Sequence, residues 1–220
     1  MNQGYKEKII MHSLYPKRVN STEMGSIQYL NFYACLFDLT EKKVFRIDDN
    51  RIWCSNTETG DPVLDMVISM MVPLSGKKIS RLQLLVPQKA GAVYRKQIEL
   101  MIEKDYLRKE DIMFISWKVG SKYSVRKPDL LKPGITKLER SLVYGRKPDR
   151  ETWLLALLAG EGKFFSNIFA TREFRERANS RYREFIGSEK YEQDVTVSAL
   201  LSTLRKSIKT KKAVSAIAKS

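Results

Sequence analysis

The residue types that most often carry nucleophilic or metal chemistry are scarce in this sequence. His12 is the only histidine, which removes Ser-His-Asp triads, Cys-His pairs and His-ligated zinc or iron sites. Cys35 and Cys54 form no CxxC pair, a pattern that favours a reducing, cytoplasmic setting over a disulfide framework. Chemistry based on carboxylates or lysines stays open, although no motif marks it. The sequence therefore predicts a protein that is not an enzyme and that holds no metal or cofactor.

A pair of carboxylates, Asp61 and Asp65, lies in the segment TGDPVLD that begins at Thr59. Two carboxylates four residues apart could form a metal or acid–base site. They also suit a helix start, because Asp61 can accept hydrogen bonds from free N–H groups and Pro62 fits the first helical position. Asp65 would then add negative charge to the first turn. We prefer the capping interpretation.

The charge balance points to a polyanionic partner. The chain has 40 Lys and Arg residues against 25 Asp and Glu, a net charge of +15. Such an excess attracts nucleic acid or an anionic membrane surface, and it can also merely keep a protein soluble. No apolar stretch reaches the roughly 20 residues of a membrane span, and the N-terminus lacks the apolar core of a secretory signal. The expected location is cytoplasmic, or peripheral on the cytoplasmic face of a membrane.

The stretch from Trp153 to Phe169, WLLALLAGEGKFFSNIF, predicts the centre of the fold. Residues 153–159 are all apolar, and a helix that is apolar all round is buried. We expect a mainly α, single-domain protein in which this central helix lies in a bundle of amphipathic helices with two small β-hairpins. Residues 1–25 show weak hydrophobic periodicity, which predicts a frayed and variable N-terminal segment. Residues 26–220 are predicted to form the domain itself.

Hydrophobic spacing and turn residues predict the other elements. The expected helices cover 26–41, a segment from Asp61 to about 71, 79–85, 88–104, 135–143, 171–186 and 195–217, the last as one or two helices. The expected hairpins cover 44–54 and 112–125. In the second hairpin, Gly120 is expected at the turn.

Four segments, in this order, resemble the Golgi phosphoprotein 3 family. They are ACLFDLTEKKVF from Ala34, TGDPVLD from Thr59, ELMIEKDYLRKED from Glu99 and KPDRETWLLALLAGEGKFFSNIF from Lys147. The resemblance covers about residues 30–220. The eukaryotic members of that family bind phosphatidylinositol 4-phosphate, and the family has many bacterial relatives. It implies a mostly helical domain acting as a peripheral membrane adaptor for an anionic lipid headgroup.

The family's headgroup pocket is not kept in this sequence. In the eukaryotic members it uses a tryptophan and an arginine near the first buried helix, and two arginines three residues apart. The corresponding positions here are Asn31 or Phe32 for the first arginine, and Gly91 and Tyr94 for the arginine pair. A different basic patch is therefore predicted to contact anionic lipid. An aromatic residue beside lysines suits the membrane boundary, although Trp117 is equally compatible with a core position. The predicted contact residues are Lys89, Arg95, Lys96, Trp117, Lys118, Lys122 and Tyr123.

Nucleic-acid binding is the alternative function. A helix over Gln88–Lys104 followed by a basic hairpin over Ile112–Val125 also describes a winged-helix unit, and the charge suits phosphates. Against this alternative, the helix offers few side chains for base edges beyond Arg95, Lys96 and Gln97.

Overall fold

The structure is a computed structural model that describes residues 3–14, 21–114 and 117–217. It is mainly helical with two antiparallel two-stranded sheets, which confirms the predicted fold class. One cluster of buried apolar side chains runs from Tyr5 to Leu204. The helices are α1 (Tyr5–Leu14), α2 (Ser21–Glu41), α3 (Pro62–Met71), α4 (Arg81–Glu103), α5 (Lys132–Leu142), α6 (Arg150–Glu161), α7 (Phe165–Ile168), α8 (Arg172–Ile186), α9 (Glu189–Gln193) and α10 (Val195–Ile217). The strands are β1 (Phe45–Asp48), β2 (Arg51–Cys54), β3 (Leu107–Phe114) and β4 (Trp117–Val125).

Helix α6 is buried on all sides, as its sequence predicts. Every residue from Trp153 to Ala159 is at most 3% exposed, and the helix packs against α1, α5, α8 and α10. Its N-terminus is capped by Asp149, which accepts a hydrogen bond of 2.7 Å from the Thr152 amide. The predicted continuation to Phe169 is wrong. The helix ends at Glu161, because Lys163 adopts a positive φ of 60°, and α7 begins separately.

Helix α2 is a second buried helix and contacts α1, α3, α4, α10 and β1. All residues from Tyr29 to Leu39 are buried. It begins at Ser21, five residues before the predicted start. Two of its buried residues, Asn31 and Asp38, are polar and lie seven residues apart, which places them on the same helical face.

Helix α1 overturns the prediction of a frayed lead-in for residues 5–14. Ile9, Ile10 and Met11 are fully buried. The first amides of the helix, those of Tyr5 and Lys6, donate to the Asp38 carboxylate at 2.8 and 3.2 Å. The amphipathic pattern is weak because polar side chains of α1 are buried too, and their partners lie far away in the sequence.

Helix α4 is one helix where the sequence predicted two. The predicted break falls near Pro87, which lies inside the helix on its exposed side. A proline there removes one backbone hydrogen bond, and the buried side chains on both sides of it keep the helix continuous.

The first hairpin is confirmed and the turn of the second is misplaced. Strands β1 and β2 are joined by Asp49 and Asn50, both with positive φ, as a two-residue type I′ turn requires. In the second hairpin Gly120 pairs with Ile112 inside the ladder, so the predicted turn at Gly120 is wrong. The connection is at residues 115 and 116, outside the described part of the chain.

The close approach of α8 to α6 requires a glycine. A Cβ at Gly160 would lie 2.5 to 2.9 Å from three ring carbons of Tyr182, and the Tyr182 hydroxyl donates to Glu161, which also accepts from Arg205 at 2.5 Å. We expect Gly160→Ala to lower the free energy of unfolding by about 1–3 kcal/mol. Urea denaturation followed by circular dichroism measures it. The matched control is Gly187→Ala, where the nearest atom is 3.5 Å away; an equal loss in both variants would contradict the clash.

Candidate functional site

The structure distributes the predicted lipid-contact residues over two elements. On α4, Lys89 and Arg95 are exposed and Lys96 is half-buried. Lys89 and Lys96 are seven residues apart and share one side of the helix, whereas Arg95 lies about 100° away around the axis. Helix α4 therefore does not present the three as one patch.

The remaining predicted contacts belong to β4. Trp117 and Lys118 are its first residues, paired with Phe114 and Met113, and their side chains lie outside the described part of the structure. Lys122 is exposed, and Tyr123 is half-buried and packs against the core.

Three of the four positions that the resemblance assigns to the headgroup pocket lie in the interior, and the fourth, Gly91, is half-buried. Asn31 and Phe32 are fully buried and Tyr94 is 4% exposed. These side chains give no basic pocket at the surface.

A different basic surface forms where the first hairpin meets the start of α4. We call it the basic hairpin face, and it consists of Arg46, Arg51, Trp53, Lys77, Lys78, Arg81 and Leu84. Its two apolar members are exposed by 42% for Trp53 and 60% for Leu84. The sequence analysis missed this surface, since its residues come from the first hairpin and from residues 77–84, which are more than 20 positions apart in the chain.

The hairpin supplies its outer side chains through strand alternation. Phe45, Ile47 and Ile52 point into the core and are at most 3% exposed, so alternate residues point outward. Arg46 pairs across the strands with Trp53, and its guanidinium lies 5.9 Å from the indole centroid. Arg51 lies two residues from Trp53 on the same side, about 7 Å along the strand. The sequence carries two local signals of this surface, the alternation in the hairpin and the basic run Lys77, Lys78 and Arg81.

The segment 76–79 brings two lysines beside β2. Gly76 donates to the Ile52 carbonyl at 2.7 Å, and the Ile52 amide donates to the Lys77 carbonyl at 2.9 Å. Arg51 forms an isolated bridge with Lys78 and donates from its side chain to the Gly76 carbonyl at 2.8 Å. Gly76 has a φ of 80°, a conformation that favours glycine. Backbone pairing thus holds three cations together despite the repulsion among them.

Helix α4 extends the basic hairpin face along one stripe. Arg81, Leu84, Gln88 and Arg95 follow each other at intervals of three, four and seven residues, so they share one side of the helix. Arg95 is the one predicted contact residue that continues this stripe.

A cavity of about 500 Å³ lies in the basic hairpin face and has four cationic lining residues and no carboxylate. It is lined by Arg51, Lys77, Lys78, Ser80, Arg81, Gln83 and Leu84. Among the described residues, none of the five cations of the face forms an ion pair. By contrast, the arginines of α8 at positions 172, 177 and 181 pair with glutamates within their own helix. The five cations therefore form no ion pair with a described residue, and the one carboxylate on the outward side of the hairpin strands is Asp48, which lies opposite Arg51 and offsets part of their charge.

A second polar site lies beneath the N-terminus of α1, in a cavity of about 470 Å³ that we call the α1 cavity. Lys6, 4% exposed, extends from α1 and binds Glu7 Oε1 at 2.6 Å and Asp61 Oδ2 at 2.8 Å. Asp61 is the predicted cap of α3 and accepts from the Val63 and Leu64 amides. The capping interpretation is confirmed, and Asp61 has a second role as an ion-pair partner of α1.

Burial and charge shift the pKa values around the α1 cavity. Burial raises the pKa of Asp38 to about 6, although Lys6 and two backbone donors oppose it. Burial acts to lower the pKa of Lys6, but Glu7, Asp38 and Asp61 outweigh it and raise that pKa above its ordinary value. Lys6 is therefore held charged.

No family model matches the chain, and no curated protein matches it significantly. The resemblance to the Golgi phosphoprotein 3 family stays a prediction from its motifs. Within the described residues, no helix is long and apolar enough to cross a membrane, and no cluster of His, Cys, Asp and Glu is suited to a metal ion.

Proposed function

We propose that this protein is a non-enzymatic peripheral membrane protein that binds anionic lipid surfaces through the basic hairpin face. The observation that carries the proposal is that one surface combines two exposed apolar side chains with five cations that form no ion pair within the described part of the chain. The resemblance to an anionic-lipid adaptor family supports the same class of function, at a different place on the fold.

The chemistry of the basic hairpin face suits a bilayer interface better than a phosphate backbone alone. Each Lys or Arg near an anionic membrane contributes about 1 kcal/mol, so five give an attraction on the order of 5 kcal/mol before the cost of association. Tryptophan prefers the headgroup region, and Leu84 can enter the apolar layer beneath it. Trp53 and Leu84 are large apolar side chains that the fold leaves exposed to solvent. Binding to a membrane interface would remove them from water.

Charge reversal of Lys77 and Lys78 tests the proposal. We expect the double variant Lys77→Glu/Lys78→Glu to bind vesicles of phosphatidylcholine and phosphatidylserine at least tenfold more weakly, because attraction becomes repulsion. Co-sedimentation at about 0.15 M salt, where the Debye length is about 8 Å, measures the partition. Arms with neutral vesicles and with added phosphatidylinositol 4-phosphate separate general charge from headgroup recognition.

The matched control is Lys206→Glu/Lys209→Glu, which makes the same change in net charge at exposed positions of α10. Equal losses in both double variants would contradict a localised site. A third arm, Lys118→Glu/Lys122→Glu, tests the hairpin predicted from the sequence, and a loss confined to this arm would move the site to β4. Competition by duplex DNA covers the nucleic-acid alternative: a protein that binds DNA and no vesicle overturns the proposal.

A further inference from the structure

A further cavity, of about 430 Å³, lies where helix α5 begins, and we call it the α5 cavity. Its volume falls in the range of small-molecule sites. It adjoins the α1 cavity, and Lys8 and Glu151 line both. The walls that bear on its chemistry are formed by Lys8 and His12 from α1, Tyr106 and Leu130 from connecting segments, and Gly134 and Lys137 from α5.

His12 lines the α5 cavity with its hydrogen-bonding capacity unused. The residue is 2% exposed, and its ring nitrogens have no hydrogen-bond partner among the described residues. Neither nitrogen belongs to the unpartnered polar atoms that are fully closed off from solvent. Burial and Lys8 lower the pKa of His12 to about 4, so at neutral pH the imidazole carries a single N–H. A ligand in the α5 cavity can therefore accept a hydrogen bond from His12.

The start of α5 supplies a second donor to the same space. The first N–H groups of a helix have no partner within the helix, and the N-cap residue, Leu131, forms no side-chain hydrogen bond to them. The amide of Gly134 has no acceptor among the described residues. A Cβ at Gly134 would lie 3.8 Å from His12 Nε2, so an acceptor placed between the two residues can reach both. The positive end of the helix dipole favours an anion there.

The charges around His12 favour the same sign of ligand. Lys8 lies one turn before His12 on the same side of α1. Its positive charge and burial are the two causes that lower the pKa of His12, and no carboxylate acts against them. Negative charge is therefore missing at the imidazole itself.

The cavity as a whole suits one negative charge rather than two. Glu151 is the lining carboxylate, and it binds Lys8 and lies 3.8 Å from Lys137. The carboxylates that pair with the other lining lysines are Asp105, at 3.3 Å from Lys127, and Asp149, at 3.1 Å from Lys137. These two do not line the cavity, and their side chains are 51% and 52% exposed, so water screens them.

We propose that the α5 cavity binds a small organic carboxylate, whose oxygens accept from the His12 imidazole and the Gly134 amide and whose apolar part lies against Leu130. Leu130 is 43% exposed, and a bound hydrocarbon chain would cover it. The α5 cavity contains no residue of the basic hairpin face. The inference therefore does not depend on the proposed membrane binding.

A single NMR signal tests the proposal on the wild-type protein. His12 is the only histidine, so in protein without a histidine tag the imidazole C–H resonance is unambiguous. Hexanoate, hexylamine, hexanol and hexyl phosphate are titrated at pH 7. We expect hexanoate to shift the His12 signal saturably in the millimolar range, and the amine and the alcohol, which have the same chain without a negative charge, to leave it unshifted.

Each remaining outcome of the titration contradicts the proposal. No shift with hexanoate, or an equal shift with the alcohol, would mean that the α5 cavity does not select a carboxylate. Tighter binding of hexyl phosphate, which is largely a dianion at pH 7, would overturn the assignment to a single negative charge.

A matched pair of glycine variants assigns the position. In Gly134→Ala the Cβ points towards the start of the helix and makes an ordinary contact with His12 Nε2 at 3.8 Å, so the fold is kept while a carboxylate oxygen no longer fits between them. We expect hexanoate to bind at least tenfold more weakly, with an unchanged urea midpoint. The control is Gly91→Ala in α4, whose nearest atoms are also 3.8 Å away, and it should bind hexanoate as the wild type does.

Equal hexanoate binding by Gly134→Ala and the wild type overturns the inference, as does an equal loss in both glycine variants. If Gly134→Ala proves unstable, the ligand series on the wild type is sufficient to decide.

Discussion

Replacing Lys6 with methionine is expected to lower the free energy of unfolding by about 3–5 kcal/mol. The methionine keeps most of the side-chain volume, so the loss comes from charge rather than from packing. The Lys6 ammonium is buried between Glu7 and Asp61, at 2.6 and 2.8 Å from their carboxylate oxygens. Removing one partner of a buried pair leaves an uncompensated charge in a region of low dielectric constant. Urea denaturation monitored by circular dichroism measures the change.

Two further variants make the Lys6 prediction specific. Lys42→Met removes an exposed lysine from the rim of the same cavity and should change stability by no more than about 0.5 kcal/mol. The triple variant Lys6→Met/Glu7→Gln/Asp61→Asn removes the stranded charges as well and should be more stable than Lys6→Met alone. If Lys6→Met costs under 1 kcal/mol, or the triple variant is less stable still, uncompensated charge is not the cause.

The sequence was sufficient to predict those helices and strands whose stabilising contacts lie within a few residues of each other. The Asp61–Pro62 pair predicts the start of α3, and Asp149 the start of α6, because a cap and its amides lie within three residues. The run from Trp153 to Ala159 predicts burial on all sides because no polar residue interrupts it. Two short β-favouring runs on either side of Asp48, Asp49 and Asn50 predict the first hairpin for the same reason, although the turn itself has two residues rather than the predicted three.

The features that were missed depend on distant residues. Helix α1 has a buried lysine, glutamate and histidine, a composition that in the sequence suggests an exposed helix. The burial of Lys6 depends on its ion-pair partner Asp61, which is 55 positions away in the chain. Gly4 shows the same dependence: a Cβ there would lie 2.8 Å from both Asp38 oxygens. The basic hairpin face forms only when residues 76–79 pair with β2. No single stretch of sequence therefore predicts the complete surface. For the candidate site, the net charge and the contact residue Arg95 could be predicted from the sequence. The position of the basic surface depends on the tertiary fold.

Burial of His12 is expected to contribute a loss of stability as the pH falls from about 6.5 to 4. Burial and the nearby Lys8 lower the pKa of His12 from 6.5 to about 4. Between these values the unfolded chain binds a proton that the folded chain does not, so protonation favours unfolding. The full shift corresponds to about 3 kcal/mol, present above pH 6.5 and lost as the pH falls towards 4.

Asp38 acts in the opposite direction over nearly the same range. Burial raises its pKa from 3.8 to about 6, so between these values the folded chain holds the extra proton and stability increases as the pH falls. The two groups offset each other in the wild type, and single variants separate them. His12→Leu should become more stable from pH 7 to 4 relative to the wild type, and Asp38→Asn less stable, each by about 3 kcal/mol.

Urea denaturation at pH 7, 6, 5 and 4 measures this divergence. The other carboxylates of the protein titrate in all three proteins, so the difference between the two variants isolates His12 and Asp38. Parallel pH profiles would mean that neither group is held in its unusual protonation state. They would also place α1 away from the core at acidic pH, because both shifts arise from its burial between α2 and α6. Divergent profiles would show that α1 stays docked while His12 remains neutral and Asp38 takes up its proton.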